Sequence, residues 1–358
     1  MKKIRVMIVE DSPVVCALLE YTIGCDPRLE VCATSSTAEN ALRILAHSCP
    51  DVIAMDIRLP GMNGLEATRR IMSTTPIPIV VVASSIESGA WSAIPMEALQ
   101  AGALSVLEKP VGTTHADYDA VAKRLCTQLV IMSQVHLIRQ RPTGEAQAWN
   151  GGNPNSKNSR PGRFKMLGLV CSTGGPGALA HLLQALGPTF PLPILLVQHM
   201  TASFLEGFAS WLDTICPFSV TVVEDPCRAV AGTLYLAPGE RHLRLDGGWV
   251  WPDEGDPVSF QRPSGTVLFR SMAQDLGADA LGVLLTGMGD DGASGLLDIR
   301  NAGGYTIAED ESTAIVYGMP GAAVRIGAVC ESIPLPDIAP RILELASCES
   351  VTLERSYK

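Results

Sequence analysis

Hydrophobic positions alternate between two spacings along the first 135 residues. Short, continuous apolar runs occur at Ile4–Val9, Leu29–Ala33, Asp51–Met55, Ile77–Ala83 and Ala103–Leu107. Runs of this length predict strands buried on both faces. Between them, apolar residues recur at helical spacing over Val14–Ile23, Ala38–His47, Gly64–Met72 and Trp91–Gln100, and a last helix is predicted over Asp117–Val135. Five strand–helix units in succession predict a parallel sheet covered on both sides, a flavodoxin-like (βα)5 domain over residues 1–135.

The pattern then breaks. Residues 139–163 read RQRPTGEAQAWNGGNPNSKNSRPGR, rich in Gly, Pro, Asn and Ser with little to bury. This predicts an exposed linker, placed at 136–163. From Phe164 the α/β rhythm returns and predicts a second, doubly wound domain over 164–350. Its strands are expected at Lys165–Cys171, Ile194–Gln198, Ser219–Val223, Thr233–Ala237, Gly282–Thr286 and Tyr305–Ala308. Its helices are expected at Gly177–Ala185, Ala202–Thr214, Ser264–Leu276 and Gly292–Ala302. Within Gly239–Asp253 the segment RLDGGWV predicts a small β-hairpin, because Asp-Gly favours tight turns.

Composition narrows the function classes. The chain of 358 residues is 47 % hydrophobic, enough for two cores, and carries a net charge of −10 with no dense Lys/Arg cluster, which argues against nucleic-acid binding. Ten cysteines are scattered without a C-x-x-C pair, so they read as small buried hydrophobes in a reducing compartment rather than a metal site. Glu10 and Asp11 end the first apolar run too early for a secretory signal, and no stretch reaches the ~18 apolar residues of a membrane span. The expected location is the cytoplasm, with no direct membrane insertion.

Ligand sites in open parallel sheets lie beyond the carboxyl ends of the strands. In the first domain those ends carry Glu10 and Asp11, Asp56, Ser84 and Lys109. Three carboxylates on one rim need a counter-charge, and a hard divalent cation with oxygen ligands supplies it. A phosphoryl group on Asp56 would then meet a metal, an ammonium and a hydroxyl. The segments IVEDS (8–12), MDIRLPGMNG (55–64), VVASS (81–85) and EKP (108–110) resemble the signatures of two-component receiver domains. The resemblance implies Asp56 as phospho-acceptor, Glu10, Asp11 and Asp56 as Mg²⁺ ligands, and Ser84 and Lys109 as the switch pair. Glu10 stands where many receivers have Asp.

In the second domain the first strand ends in Ser172-Thr173-Gly174-Gly175-Pro176 and a helix follows. A serine at a glycine-rich helix start suits either a nucleophile beside an oxyanion site or a phosphate contact. The next strand ends in His199, a candidate base, whereas His181 reads as a helix-face residue and His242 as a loop or hairpin residue. An acid to orient the imidazole is offered by LLTGMGDDG (284–292), and spacing leaves Asp290 and Asp291 both open.

CSTGGP (171–176), QHM (198–200), LAPGERH (236–242), QRPS (261–264), LLTGMGDDG (284–292) and AEDESTAIVYGMP (308–320) resemble the catalytic domain of the CheB family of chemotaxis protein-glutamate methylesterases. The resemblance implies a triad of Ser172, His199 and Asp291, with the Met288 region and Thr173 supporting an oxyanion hole. It implies no cofactor for the hydrolase, methyl-accepting chemoreceptors as substrate and a CheA-type histidine kinase as phosphodonor. It also implies deamidation of receptor glutamines. The family often has R-P-S-V-D where this chain has Arg262-Pro263-Ser264-Gly265-Thr266, so altered substrate contacts or an altered domain interface are expected there. A DNA-binding response regulator and a catalytically silent receptor-docking module are the competing classes. The first lacks a basic helix-turn-helix after the linker, and the second would not need Ser, His and Asp together.

Overall fold

The computed structural model describes residues 2–83, 97–99, 101–110, 112–113, 118–135, 164–200 and 202–347. The chain forms two compact units, Met1–Gly144 and Glu145–Lys358. The predicted linker, the switch residue Ser84 and most of the helix predicted at Trp91–Gln100 lie outside the described residues.

The first unit contains β1 (Ile4–Val9), α1 (Pro13–Gly24), β2 (Leu29–Ser35), α2 (Ala38–Ser48), β3 (Val52–Met55), α3 (Gly64–Thr74), β4 (Ile79–Ala83), β5 (Ser105–Glu108) and α4 (Tyr118–Met132). Its sheet runs β2-β1-β3-β4-β5, with every pair parallel. Local chemistry sets the helix starts. Ser12, Thr37 and Asn63 are N-caps whose side chains accept the backbone N–H of Val15, Asn40 and Glu66. Pro13 opens α1 one residue earlier than apolar spacing predicts, since proline at the first helical position forfeits no hydrogen bond.

The second unit contains β6 (Met166–Cys171), α5 (Gly175–Leu186), β7 (Ile194–Gln198), α6 (Ala202–Ile215), β8 (Ser219–Val222), β9 (Cys227–Arg228), β10 (Thr233–Leu236), β11 (His242–Asp246), β12 (Trp249–Asp253), α7 (Gly265–Leu276), β13 (Ala280–Leu284), α8 (Ala293–Asn301), β14 (Tyr305–Glu309), α9 (Met319–Arg325), β15 (Glu331–Ile333) and α10 (Leu335–Ala346). Seven parallel strands run β15-β14-β13-β6-β7-β10-β8. After β6 the chain builds outward through β7, β8 and β10, then crosses to β13 on the other side of β6. Loops leaving β6 and β13 therefore diverge, which opens a crevice between them. That crevice is where the second unit's chemistry collects.

Several expectations need correction. The hairpin forms, but its turn is Gly247-Gly248 rather than Asp246-Gly247. Asp246 pairs with Trp249, and both glycines take positive φ (57° and 78°), the demand of a type I′ turn. The strand predicted at Gly282–Thr286 runs Ala280–Leu284, because Thr286 leaves the ladder to make side-chain contacts described below. Helices α9 and α10 and the short strands β9 and β15 have no counterpart in the prediction, their apolar residues being interrupted by prolines and short turns. The nine described cysteines are free, as expected, but Cys25, Cys49 and Cys330 are exposed rather than buried.

The core of the second unit centres on Phe269 of α7, which is fully buried. A methyl group on Gly168 of β6 would come within 3.1 Å of its ring, and one on Gly295 of α8 within 2.9 Å of its Cβ. Bare backbone on both sides lets α7 press against strand and helix together. Phe269→Ala removes this wedge where neighbours are locked in place, so the second unit should lose about 3–5 kcal/mol of stability, measurable by urea unfolding of the full chain.

Candidate functional site

At the first unit's rim, β1 ends in Glu10 and β3 ends at Asp56, both nearly buried. Oxygen atoms of Glu10, Asp11 and Asp56 lie within 4.8 Å of one another. Lys109 follows β5, and its Nζ sits 2.7 Å from Glu10 Oε2 and 3.0 Å from Asp56 Oδ2. Burial raises the Glu10 pKa, and the Asp56 charge adds to this while Lys109 opposes it. One ammonium is thus set against three carboxylates. The remaining negative charge and the all-oxygen donor set fit a hard divalent cation such as Mg²⁺.

In the second unit, β6 and β7 are in register at Cys171 and Gln198. Ser172 and His199 are the next residues on each strand, and His199 N–H still donates to Cys171 O at 3.0 Å. Parallel register carries the two residues off the sheet at the same level. Gln198, itself buried, clamps them: its Nε2 donates to Ser172 O at 2.9 Å and to His199 O at 3.0 Å. On the other side Ser172 N–H donates to Thr286 O at 3.0 Å. Gly287 follows, and a methyl there would lie 2.8 Å from Ser172 Cβ and 2.3 Å from the Met319 sulfur. Only glycine lets the β13 loop close on the serine.

Asp291 is buried, whereas Asp290 is exposed, which resolves the alternative that spacing left open. Asp291 Oδ2 accepts from His199 Nε2 at 2.8 Å and from Gly265 N–H at 2.6 Å. Its Oδ1 accepts from Ser264 Oγ at 2.6 Å and from Thr266 N–H at 3.1 Å. Ser264 is the N-cap of α7, so the carboxylate occupies that helix's positive end. Burial opposes its charge, but the His199 hydrogen bond and charge, the Ser264 hydroxyl and the Gly265 N–H outweigh burial and hold the pKa below the usual carboxylate range. With Nε2 committed to Asp291, His199 Nδ1 is buried and has no hydrogen-bond partner. A buried ring nitrogen left bare is a free lone pair of the kind that a general base needs.

The structure brings Ser172, His199 and Asp291 to one end of the sheet, with supports that local sequence does not signal. His242, read from sequence as a loop or hairpin residue, does open the hairpin, and it is fully buried at the start of β11. Its Nδ1 accepts Ser264 N–H at 3.1 Å and its Nε2 donates to Asp256 O at 3.0 Å. Thr266, at the departure from the family pattern, is buried rather than facing a substrate: its Oγ1 accepts Gly292 N–H at 2.8 Å beside Asp291. His181 is exposed on α5. Met288 is exposed at the mouth of the crevice. Gly287 N–H donates to Val316 O at 3.0 Å and is not available to a substrate oxygen. No helix among the described residues is long and apolar enough to cross a membrane.

The chain matches the family model "Response regulator receiver domain" over residues 6–116 and "CheB methylesterase" over residues 167–342. It is 52 % identical over 349 residues to "Protein-glutamate methylesterase/protein-glutamine glutaminase 2" of Paramagnetospirillum magneticum, covering 96 % of this chain and 98 % of that one. It is 41 % identical to the enzyme numbered 4 of that name from Myxococcus xanthus, over 95 % of this chain and 96 % of that one. Among solved structures, the CheB methylesterase catalytic domain of Thermotoga maritima is 33 % identical, with a TM-score of 0.49, covering 51 % of this chain and 98 % of that one. Receiver signature, Ser/His/Asp crevice and near full-length identity agree: the chain belongs to the CheB family of receiver-linked methylesterases.

Proposed function

We propose that this protein is a phosphorylation-controlled protein-glutamate methylesterase. It hydrolyses γ-glutamyl methyl esters on methyl-accepting chemoreceptors, releases methanol, and deamidates receptor glutamines through the same acyl chemistry. The observation that carries the reading is His199, pinned by a buried, fourfold hydrogen-bonded Asp291 with Nδ1 left bare at the level of Ser172.

In this mechanism His199 Nδ1 takes the proton from Ser172 Oγ as the oxygen attacks the ester carbonyl. Asp291 stabilises the imidazolium that forms. Backbone N–H groups of Thr173 and the Met288 loop receive the oxyanion. The imidazolium then protonates the departing methoxide to methanol, or the departing amide nitrogen of a glutamine to ammonia. Water, deprotonated by the same nitrogen, hydrolyses the glutamyl–serine ester and leaves a glutamate carboxylate. The hydrolase site requires no cofactor.

The domain reading is a receiver at 1–135, a linker at 136–163 and a hydrolase at 164–350. A CheA-type histidine kinase supplies the phosphoryl group to Asp56. Glu10, Asp11 and Asp56 would hold Mg²⁺, which neutralises charge on the transferring phosphoryl group when bound. Lys109 and Ser84 contact the phosphoryl oxygens and relay the change. The protein works in the cytoplasm, where the receptor glutamates lie.

Three experiments test this reading on full-length protein with a methylated receptor fragment. Ser172→Ala should lower methanol release by ~10⁴-fold or more, and near wild-type turnover would refute the assignment. Ser264→Ala removes one of four bonds to Asp291 and the cap of α7. It should lower kcat about tenfold with KM little changed, and cost ~1 kcal/mol of stability. Asp56→Ala should keep basal activity but lose the increase produced by a small-molecule phosphodonor, and a normal response would sink the proposed control.

A further inference from the structure

One buried acid has no part in the mechanism above. Glu309 ends β14, is 1 % exposed, and forms no ion pair among the described residues. Its Oε2 accepts the N–H of Thr286 at 2.8 Å. Thr286 is the residue that holds the nucleophile's backbone on both sides. Its carbonyl accepts Ser172 N–H at 3.0 Å, and its Oγ1 donates to Thr173 O at 2.9 Å. The same Oγ1 accepts Val316 N–H at 2.9 Å, which ties in the loop before α9.

We propose that Glu309 is a positioning residue for the nucleophile, whose ionised carboxylate tightens the hold of Thr286 on the backbone around Ser172. The proposal rests on the methylesterase reading and deepens it. A neutral amide would accept the Thr286 N–H without the cost of burying an ionisable group. An anion makes that bond shorter and stronger. Burial, first, pushes the Glu309 pKa up to about 7. Neighbouring Asp310 adds to this, while the Thr286 N–H and the Thr313 hydroxyl oppose it. The other ionisable group acting across this space is the Cys171 thiol on β6, whose pKa is raised well above its usual value by burial and by Glu309. A carboxyl pushed up to about 7 changes charge near neutral pH.

The sign for stability follows from the same shift. A carboxyl raised from 4.5 to about 7 contributes stability that is present below 4.5 and lost as pH rises through about 7. The ionised form is thus the less stable and, by this proposal, the faster. Glu309→Gln keeps the shape and an acceptor for Thr286 but stays neutral at every pH.

The test measures kcat and KM for methanol release by full-length wild type and Glu309→Gln between pH 6 and 8.5, with Tm in the same buffers. The expected result is a kcat ratio, wild type over variant, that grows at least threefold from pH 6 to 8.5 while the KM ratio stays constant. The variant's Tm should exceed the wild type's at pH 8.5 by more than at pH 6. A kcat ratio independent of pH, or a variant less stable at pH 8.5, overturns the proposal, since both are what a purely structural carboxyl would give. Wild type without Ser172-dependent methanol release would overturn the methylesterase reading itself, and this proposal with it.

Discussion

The carboxylate of Asp291 buried at the amino end of α7 is the interaction on which the hydrolase depends. A charge this deep is costly unless donors surround it. Here two backbone N–H groups, a hydroxyl and an imidazole do so. Three of these donors belong to one helix start, so the position of α7 becomes the position of the acid. Phe269 on that helix lies in the core beneath β6, which links packing of the interior to alignment of the imidazole. Stability and chemistry therefore share the same helix.

The supports form a layered network around the crevice. Behind Asp291 stands Ser264, and behind Ser264 stands His242, fixed as an acceptor toward the helix cap and a donor toward Asp256. Behind Ser172 stands Thr286, and behind Thr286 stands Glu309. Asp291 is thus held through α7 and the hairpin, and Ser172 through β13 and β14. The two sides meet at Gln198, whose amide holds the carbonyls of both Ser172 and His199.

Much of this was legible in the sequence because strand ends in a parallel sheet are visible as the ends of apolar runs. That rule located Glu10, Asp56, Ser172 and His199 from position alone, and a glycine-rich loop with two aspartates located the acid to within one residue. What stayed hidden was pairing at a distance. His242 and Glu309 look ordinary in their local segments, and their roles arise only when β11 meets α7 and β14 meets the β13 loop. Ser264 could have been found, since a serine before a helical pattern signals a cap. Nothing local, however, says that a capped helix will receive a carboxylate from 27 residues on. The missed α9, α10 and β15 are short or proline-bearing elements whose apolar faces form by packing on α8, α5 and β14 respectively rather than by a long periodic run.

The Gln198 clamp has one more consequence. A single amide grips the carbonyls of both Ser172 and His199. The end of β6 and the end of β7 are thereby tied to each other through one side chain as well as through the ladder. Loss of that amide would free both carbonyls at once, a different defect from loss of either neighbouring side chain.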